Sequence, residues 1–500
     1  MKRWLPPVTL ALAFVLFRVP ALLNPGFINS DGAIAALQAT RMLEGEWQWL
    51  HWARDYLTSI DSVMALPFLA IFGVTPFIAM CVTLIGQLVT ALLAYSIAAR
   101  RLSPWQGVLV TLPLVFMTMG SNIYLFFNVR QWCLAMMLGG FVLIDRSAEA
   151  VRPRVMLVAG VVLGFLAMFA DLFAAQFIPG LLLFALLSGF DGKLSWKSIP
   201  GVLRNVGGGT AIGIVVLLIL RRLANVHTGR ASLDTRKIPE NWSLFVDQCF
   251  QWMAGSKLFA INASGNAELV PSPGWLAVLQ VLGLISFVLL LVSGAALFFV
   301  QRIPWRVRVL GAVGSGVAFT SCFGFLCSPT AVDIWGTRLL MPVVLTLPLT
   351  LAPLAHLLGK RFVFGLAPYL LATAFTGWLS YGVFVEGPLP VRTARGSMSE
   401  ERALGEFLRA KGVRYAAGNY WMAYRLSLIF AEDPIVVPEA SEDRYSKWRQ
   451  NFEAEPRVAY LVHPSIPDLR AESIEAMLNA RGLPFERSTV EGYTVFLVQR

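Results

Sequence analysis

One aspartate stands where it could act as a base at the surface of a membrane. Asp31 lies in the stretch Asn29-Ser30-Asp31-Gly32-Ala33, a few residues after a first long apolar run. A single carboxylate at such a boundary can accept the proton of an attacking hydroxyl group. Ser30 or Asp31 could instead cap the helix that follows, a role that stabilises a helix by about 1 kcal/mol. The sequence leaves both interpretations open.

More polar side chains follow on a short link between two apolar stretches. They are Glu46, Arg54, Asp55, Tyr56, Ser59 and Asp61. Several charged and hydrogen-bonding groups so close behind Asp31 indicate a polar site at the same boundary. The alternative for Arg54, Asp55 and Asp61 is a solvated ion pair on the surface, which stabilises very little.

Three arginines are expected on this same face of the membrane, namely Arg54, Arg130 and Arg338. The guanidinium fork is suited to bidentate binding of a phosphate group. Each arginine could equally anchor a helix end by extending its charge to the headgroup region. Asp171, between two apolar runs, is interpreted as a turn residue or helix cap in preference to a ligand-facing acid.

The composition requires a membrane for these residues. The chain has 500 residues, 56% of them apolar and only 14% charged, and its mean hydropathy is +0.64. Residues 391–500 carry 15 basic and 15 acidic residues, so the net charge of +11 belongs entirely to positions 1–390. Lys and Arg collect at the cytoplasmic ends of membrane helices, so this excess indicates topology and not nucleic-acid binding.

Apolar runs of membrane-spanning length predict eleven transmembrane helices. The predicted spans are 4–23, 77–99, 106–127, 131–145, 155–171, 173–189, 199–220, 275–300, 308–328, 339–358 and 362–384. Basic clusters such as Arg100-Arg101 and Lys360-Arg361 fall on alternate loops and agree with one orientation, with a cytoplasmic N-terminus. An odd number of spans then places the C-terminal segment outside the cytoplasm. We therefore expect a polytopic α-helical membrane protein.

Two outer segments are too long to be simple connections. Residues 24–75 hold two apolar stretches too short to span, which predicts two helices at the membrane surface. Residues 221–273 are polar and carry Trp242, Phe245, Phe250 and Trp252, and such aromatic residues suit the headgroup boundary. We expect a membrane domain over 1–390.

The last 110 residues, 391–500, alternate helix and strand patterns. This alternation predicts an outer, periplasmic α/β domain with a largely parallel sheet. None of its helices opens with a G-x-G-x-x-G motif, so a dinucleotide-binding role has no support.

Cysteine and histidine give no metal or disulfide pattern. The five cysteines are scattered at positions 81, 133, 249, 322 and 327, and there are four histidines in the whole chain. Such spacing matches neither a disulfide framework nor a C-x-x-C metal motif. No cofactor is expected. A divalent metal stays an open alternative if the fold brings Asp31 together with Asp55 or Asp61.

The order of these features resembles the GT-C membrane glycosyltransferases, which include protein O-mannosyltransferases and aminoarabinose transferases. The shared features are a first span, an outer Asp directly after it, two non-spanning helices, and a second span that ends in Ala-Arg-Arg-Leu at 99–102. Within that group, the sequences SDGA at 30–33, RMLEGE at 41–46 and YLTSID at 56–61 resemble a largely uncharacterised bacterial subfamily with the pattern D-x-A, GE and Y-x-G-S-x-E. The sequence GNYWMAYRL at 418–426 resembles a motif of its outer domain. Thr58 and Asp61 depart from that pattern.

The resemblance implies transfer of a sugar from a polyprenyl-phosphate carrier to a glycan, lipid or protein acceptor outside the cytoplasm. Asp31 would be the general base, with inversion at the anomeric carbon. Arg54, Tyr56, Asp61, Arg130 and Arg338 would bind substrate, and Arg338 stands in TRLLMP, which resembles an arginine-bearing helix start of such enzymes. The alternatives are a transporter or flippase of lipid-linked saccharides, and a non-catalytic protein that binds a partner through its outer domain.

Overall fold

The computed structural model describes most of the chain. The described residues are 4–54, 56–117, 130–190, 199–225, 233–261, 267–384, 397–439, 443–464, 466 and 469–500. Asp55, the second half of the predicted span 106–127, and the predicted domain boundary at 390/391 lie outside them. The division of the chain at that boundary therefore stays a prediction.

The first 384 residues are almost entirely helical in their described parts. The long and medium helices are α1 Leu5–Leu22, α2 Ser30–Leu43, α3 Ile60–Phe72, α4 Pro76–Arg101, α5 Pro104–Val115, α6 Gln131–Ser147, α7 Pro153–Ala170, α8 Ile178–Ser188 and α9 Ile199–Ala224. After a polar segment with two short helices, α10 Ile238–Leu244 and α11 Phe250–Ala254, and a hairpin of β1 Leu258–Ile261 and β2 Ala267–Val270, four more follow. They are α12 Gly274–Ala296, α13 Trp305–Leu326, α14 Met341–Leu358 and α15 Phe362–Phe384.

The chain is a multi-pass membrane protein. In the described ranges, seven helical segments are long and apolar enough to cross a bilayer. Every one of the eleven predicted spans contains a helix, but the number eleven is not confirmed. Some of these helices are shorter than a span, such as the 12-residue α5 and the 11-residue α8. In addition, only the 3₁₀ turn Gly359–Arg361 separates α14 from α15.

Close packing of α6 against α7 shows how the membrane helices associate. Gly140 and Gly160 face each other, and a Cβ atom added to either would lie 2.7 Å from the carbonyl oxygen of the other. Helices in lipid gain little from hydrophobic burial, so small residues that allow close backbone approach take over that role. This contact packs α6 closely against α7, the helix that precedes Asp171.

Charged residues cluster at one end of the bundle. Arg100 and Arg101, at the end of α4, bind Asp145 of α6 at 3.0 and 2.6 Å. Glu149 joins this cluster through Arg100 at 2.6 Å and Arg306 at 3.7 Å. These arginines come from two of the basic loops that the positive-inside rule assigns to the cytoplasm. The Asp31 region lies at the other end of α4, where α3 leads into Pro76.

The polar segment after α9 packs differently from the prediction. Trp252 is fully buried, with its ring centroid 5.6 Å from that of Phe259 and 5.4 Å from that of Trp335. The prediction that Trp252 lies at the lipid headgroups is therefore wrong, because its side chain packs in a core next to the β1–β2 hairpin. Trp242 is exposed, as a headgroup-level residue would be.

The C-terminal α/β domain, residues 399–499, is built on a five-stranded sheet. Its elements are α16 Ser399–Ala410, β3 Tyr415–Gly418, α17 Tyr420–Ile429, β4 Ile435–Pro438, α18 Ser446–Ala454, β5 Arg457–Val462, α19 Ala471–Ala480, β6 Phe485–Val490 and β7 Tyr493–Gln499. The strand order is β4-β3-β5-β7-β6. The pairs β3–β4 and β3–β5 are parallel, whereas β5–β7 and β6–β7 are antiparallel. The sheet is mixed, and the expectation of a largely parallel sheet is wrong because β6 and β7 form an antiparallel hairpin.

Candidate active site

The start of α2 presents Asp31 without using it as a cap. The side chain of Asn29 accepts the Gly32 amide at 2.8 Å, so Asn29 is the N-cap of α2. The Ser30 hydroxyl donates to the Tyr420 carbonyl oxygen at 2.6 Å and accepts the Arg425 amide at 3.3 Å. Asp31 lies in the first helical turn, where the helix dipole favours a negative charge. The capping interpretation of Ser30 and Asp31 is therefore wrong.

The Asp31 carboxylate is bound by the C-terminal domain. The Tyr420 hydroxyl donates a hydrogen bond to Oδ1 of Asp31. Nε of Arg444 donates to the same tyrosine oxygen at 3.1 Å, and the guanidinium lies 5.3 Å from the Tyr420 ring centroid. Asp31, Tyr420 and Arg444 thus form one connected group, contributed by α2, by the start of α17 and by the loop before α18.

A buried ion pair holds α17 against the segment before α2. Nε of Arg425 donates to the Gly26 carbonyl oxygen at 2.7 Å, and its guanidinium forms an ion pair with Glu401 of α16. Both side chains are almost fully buried. Buried charges are costly unless they are paired, so this pair ties two helices of the C-terminal domain to the chain that leads into Asp31.

Residues 44–59, the linking segment between α2 and α3, form the other wall of the site. Thr58 binds the Ala170 carbonyl oxygen through its amide at 2.9 Å and through its hydroxyl at 3.0 Å. Gln38 donates to the Leu50 carbonyl oxygen at 2.7 Å. These bonds fix the linking segment over the end of α7.

The linking segment also contacts the C-terminal domain through an acidic group. Oε2 of Glu46 accepts the Tyr445 hydroxyl at 2.5 Å and Nζ of Lys447 at 2.9 Å. The Tyr445 hydrogen bond and then the Lys447 hydrogen bond lower the pKa of Glu46. Glu46 is therefore ionised at neutral pH and occupied by these partners.

An aromatic cluster completes the contact. Trp52 of the linking segment is only 2% exposed. Its ring stacks on Tyr445, with centroids 4.5 Å apart, and meets Trp448 edge-on at 5.6 Å. A buried tryptophan removes a large apolar surface from water, so Trp52 anchors the linking segment in the C-terminal domain.

Arg54 and Tyr56, two predicted substrate-binding residues, are half-buried on the linking segment. The Arg54 guanidinium lies 6.0 Å from the Tyr56 ring centroid. Nearby His51 is buried, and burial, followed by the charges of Arg444 and Arg54, lowers the pKa of His51 to about 3. His51 is thus neutral between positive charges, and those charges make this side of the site electropositive.

Asp61 is placed differently from the residues around Asp31. It is 2% exposed and accepts the backbone amides of Arg130, Gln131 and Trp132 at 2.9, 3.1 and 3.4 Å. Asp61 therefore caps the start of α6 from another helix. Arg130 has a left-handed backbone, with φ +73°, a conformation that persists only where its surroundings hold it.

Arg130 forms a buried ion pair with Asp171. Its Nε lies 2.7 Å from Oδ2 of Asp171, and its guanidinium lies 5.0 Å from the Phe173 ring centroid. Oδ1 of Asp171 caps the helical turn after α7 by accepting the Phe173 amide at 2.9 Å. The interpretation of Asp171 as a helix cap is confirmed.

Arg338 lies in the last turn of a 3₁₀ segment, Ile334–Leu340, that leads directly into α14. Its side chain is half-buried. The contacts that define the Asp31 group come from α2, the linking segment and the C-terminal domain. A role for Arg338 in substrate binding stays a prediction.

Part of the group around Asp31 is predictable from the sequence. The sequence GNYWMAYRL contains Tyr420 and Arg425, whereas Arg444, in the RYSKW sequence at 444–448, and Trp52 lie outside the motifs identified from the sequence. The basic and aromatic residues of RYSKW are the sequence feature from which a functional role could have been predicted. Within the described part of the chain, no three His, Cys, Asp or Glu side chains gather as a metal site requires, and Asp31 and Asp61 are held by separate sets of partners.

Comparison with known proteins gives the fold. No protein-family model matches the chain, and no curated protein is significantly similar to it. Among solved structures, ArnT from Cupriavidus metallidurans bound to undecaprenyl phosphate is 12% identical, with 97% of each chain covered and a TM-score of 0.56. The same protein in the apo state gives 11% identity, 97% of each chain and a TM-score of 0.46. An oligosaccharyltransferase of Archaeoglobus fulgidus with Zn and sulfate gives 10% identity, 91% of this chain, 67% of the other and a TM-score of 0.48. The first likeness shows a GT-C-like fold.

Proposed function

We propose that this chain, which has a GT-C-like fold, is a membrane glycosyltransferase that takes its sugar from a polyprenyl-phosphate carrier. The structure of similar fold binds undecaprenyl phosphate, which supports a donor of that chemical class here. The observation that carries the proposal is the placement of Asp31. Its carboxylate stands in the first turn of a helix already capped by Asn29, so it is free of a capping role and lies between the membrane helices and the C-terminal domain.

Asp31 would act as the general base. The hydroxyl oxygen of the acceptor attacks the anomeric carbon of the sugar while Asp31 takes the hydroxyl proton. The bond from that carbon to the carrier phosphate oxygen breaks, and its electron pair leaves with the phosphate. Attack opposite to the leaving group inverts the anomeric configuration. A single base suffices, because the polyprenyl phosphate leaves as a stabilised anion and needs no proton donor.

The departing phosphate needs positive charge. Arg54 and Arg338 are half-buried arginines of the linking segment and of the start of α14. We assign phosphate neutralisation to these two, since a guanidinium binds phosphate oxygens in a bidentate way. Arg130 is less suited, because its guanidinium is committed to the buried Asp171. Tyr56, beside Arg54, would border the same donor site.

The orientation follows from the two ends of the bundle. The Arg100, Arg101 and Arg306 end would face the cytoplasm, and the Asp31 end with the C-terminal domain would face the periplasm of a bacterial inner membrane. The acceptor is then a glycan, lipid or protein of the cell envelope. The C-terminal domain covers Asp31 through Tyr420 and would shape the approach of that acceptor.

The test is a transfer assay in proteoliposomes. Radiolabelled hexoses and pentoses linked to polyprenyl phosphate are supplied as donors, and native envelope lipids and proteins as acceptors. The expected result is labelled acceptor together with released polyprenyl phosphate. The control for Asp31→Asn is Asp234→Asn, which makes the same change of side chain outside the Asp31 group. Asp234 accepts the Arg236 amide at 3.0 Å, and Asn can keep this cap.

The alternative of a flippase makes a different prediction in the same vesicles. Movement of the lipid-linked sugar across the bilayer, without transfer to any acceptor, would favour the flippase and reject the transferase. Transfer by the wild type and by Asp234→Asn, with loss in Asp31→Asn, supports the proposal.

A further inference from the structure

We propose that Tyr420 and Arg444 are positioning residues that orient the Asp31 carboxylate, so that the C-terminal domain completes the active site. This inference rests on the proposed function, in which Asp31 is the base. The C-terminal domain then takes part in the chemistry itself, in addition to covering the path of the acceptor.

The direction of the hydrogen bonds in this group is fixed by their chemistry. A guanidinium has only donors, and an ionised carboxylate has only acceptors. The Tyr420 oxygen accepts Nε–H of Arg444 at 3.1 Å, and its own proton then points to Oδ1 of Asp31. The order is therefore Arg444 to Tyr420 to Asp31, with no second arrangement available while Asp31 is ionised.

Tyr420 is suited to remain a donor. Burial, and then the Asp31 charge, raise the pKa of Tyr420 far above its usual range. The phenol thus keeps its proton at every pH at which the enzyme would work. With Oδ1 of Asp31 occupied by this phenol, Oδ2 is the oxygen left to take the acceptor proton.

Both positioning residues are held by further bonds. The Tyr420 carbonyl oxygen accepts the Ser30 hydroxyl at 2.6 Å, next to Asp31 in the chain. The Arg444 amide donates to the Tyr424 hydroxyl at 2.5 Å, and Nη1 of Arg444 donates to the Ala53 carbonyl oxygen at 3.4 Å. Arg444 is 8% exposed. The group therefore has one geometry, and that geometry exists only while the C-terminal domain is docked on α2 and on the linking segment.

The test compares two tyrosines that bind carboxylates across the same interface. Tyr420→Phe removes the hydroxyl that binds Asp31, and Tyr445→Phe removes the hydroxyl that binds Glu46. We expect Tyr420→Phe to lower kcat by about 10- to 100-fold, the effect of losing one hydrogen bond to a charged group. Arg444→Met should act in the same direction. Thermal unfolding in detergent checks that all three variants are folded.

A pH profile separates positioning from simple docking. A donor to a carboxylate favours its ionised form, so the acid limb of the kcat profile should move to higher pH in Tyr420→Phe. The other charged and titratable groups of the interface are unchanged in that variant; they are Arg41, Glu46, His51, Arg54, Glu401, Arg425, Glu432, Arg444 and Lys447. In Tyr445→Phe the acid limb should stay in place. In the Asp31→Asn background, Tyr420→Phe should cause little further loss, because its effect passes through Asp31.

The outcomes separate the two proposals. Transfer by the wild type, with an unchanged rate and pH profile in Tyr420→Phe, overturns the positioning role and leaves the transferase in place. An equal loss and an equal shift of the acid limb in Tyr445→Phe overturn it as well, because docking would then explain both. No transfer by the wild type with any donor rejects the proposed function, and this inference with it.

Discussion

The Tyr420 hydroxyl donates to the Asp31 carboxylate although the two residues are 389 positions apart in the chain. The bond joins the first turn of α2 to the first turn of α17, a helix of the C-terminal domain. Asp31 is therefore a residue of the interface between the two parts of the protein. Any motion of the C-terminal domain would change the surroundings of the candidate base.

Trp52 anchors this interface, and its removal should weaken it. Trp52→Ala leaves a cavity between Tyr445 and Trp448, and truncation of a buried tryptophan costs about 3–5 kcal/mol. We expect a lower thermal midpoint in detergent and a lower transfer rate. Trp49→Ala, in the same segment but 72% exposed, is the control and should change neither. Equal thermal midpoints for the two variants would contradict the anchoring role.

Asp61 should contribute to stability and not to substrate binding. Its two oxygens accept three backbone amides at the start of α6, whereas Asn offers a single acceptor oxygen. Asp61→Asn should therefore destabilise the protein by about 1–3 kcal/mol. Measured per folded molecule, the KM for the donor should stay at the wild-type value. A raised KM in a fully stable variant would instead support the prediction that Asp61 binds substrate.

Arg130 and Asp171 should behave as a coupled buried pair. Arg130→Met leaves the Asp171 charge buried without this partner, at a cost of about 3–5 kcal/mol. In the double variant with Asp171→Asn, which still caps the Phe173 amide, much of this loss should be recovered. Thermal unfolding of the two single variants and the double variant gives the coupling energy. Additive losses would show that the ion pair does not act as a unit.

His51 should make the fold sensitive to mild acid. Its folded-state pKa of about 3 lies below the ordinary value of about 6.5, so the unfolded chain binds the proton more readily in that window. Stability should then fall as the pH drops from 6.5 towards 3, at up to about 1.4 kcal/mol per pH unit from this group. His51→Gln should flatten the pH dependence of the thermal midpoint between pH 7 and 5. An unchanged slope would show that His51 is not buried in its neutral form.

Local structure was easier to predict from the sequence than the contacts between residues that are distant in the chain. Apolar run length located a helix in each predicted span, and the two short stretches after Asp31 became α2 and α3. These predictions succeed because a span is specified by its own residues. The number of spans was harder, since α5 and α8 are short and α14 continues into α15 through a helical turn.

Two elements of the C-terminal domain have weak sequence patterns. Strand β6, FERSTV, is an edge strand whose two charged residues are both exposed, and helix α18, SKWRQNFEA, is short and polar. Each sequence has only two large apolar residues, Trp448 and Phe452 in α18 and Phe485 and Val490 in β6, which are too few for a periodic pattern to be recognised. Arg444 lies just before α18, so no recognisable helix pattern points to Arg444 either.

Partners distant in sequence decided the roles of the charged residues. Asp61 appeared as a surface acid of the linking region, but α6 brings three amides to it. Asp31 appeared able to cap its own helix, but Asn29 does so. A single sequence does not contain these distances, so the choice between capping and ion pairing needed the structure.

The most direct measurement of the central claim is the single-turnover rate of sugar transfer by Asp31→Asn at saturating donor. Asparagine has nearly the same size and still accepts the Tyr420 hydroxyl, but it cannot take a proton from the acceptor. We predict a fall of about 10²- to 10⁴-fold, with thermal midpoint and donor binding equal to those of the wild type. A rate equal to that of the wild type would contradict the assignment of Asp31 as the general base.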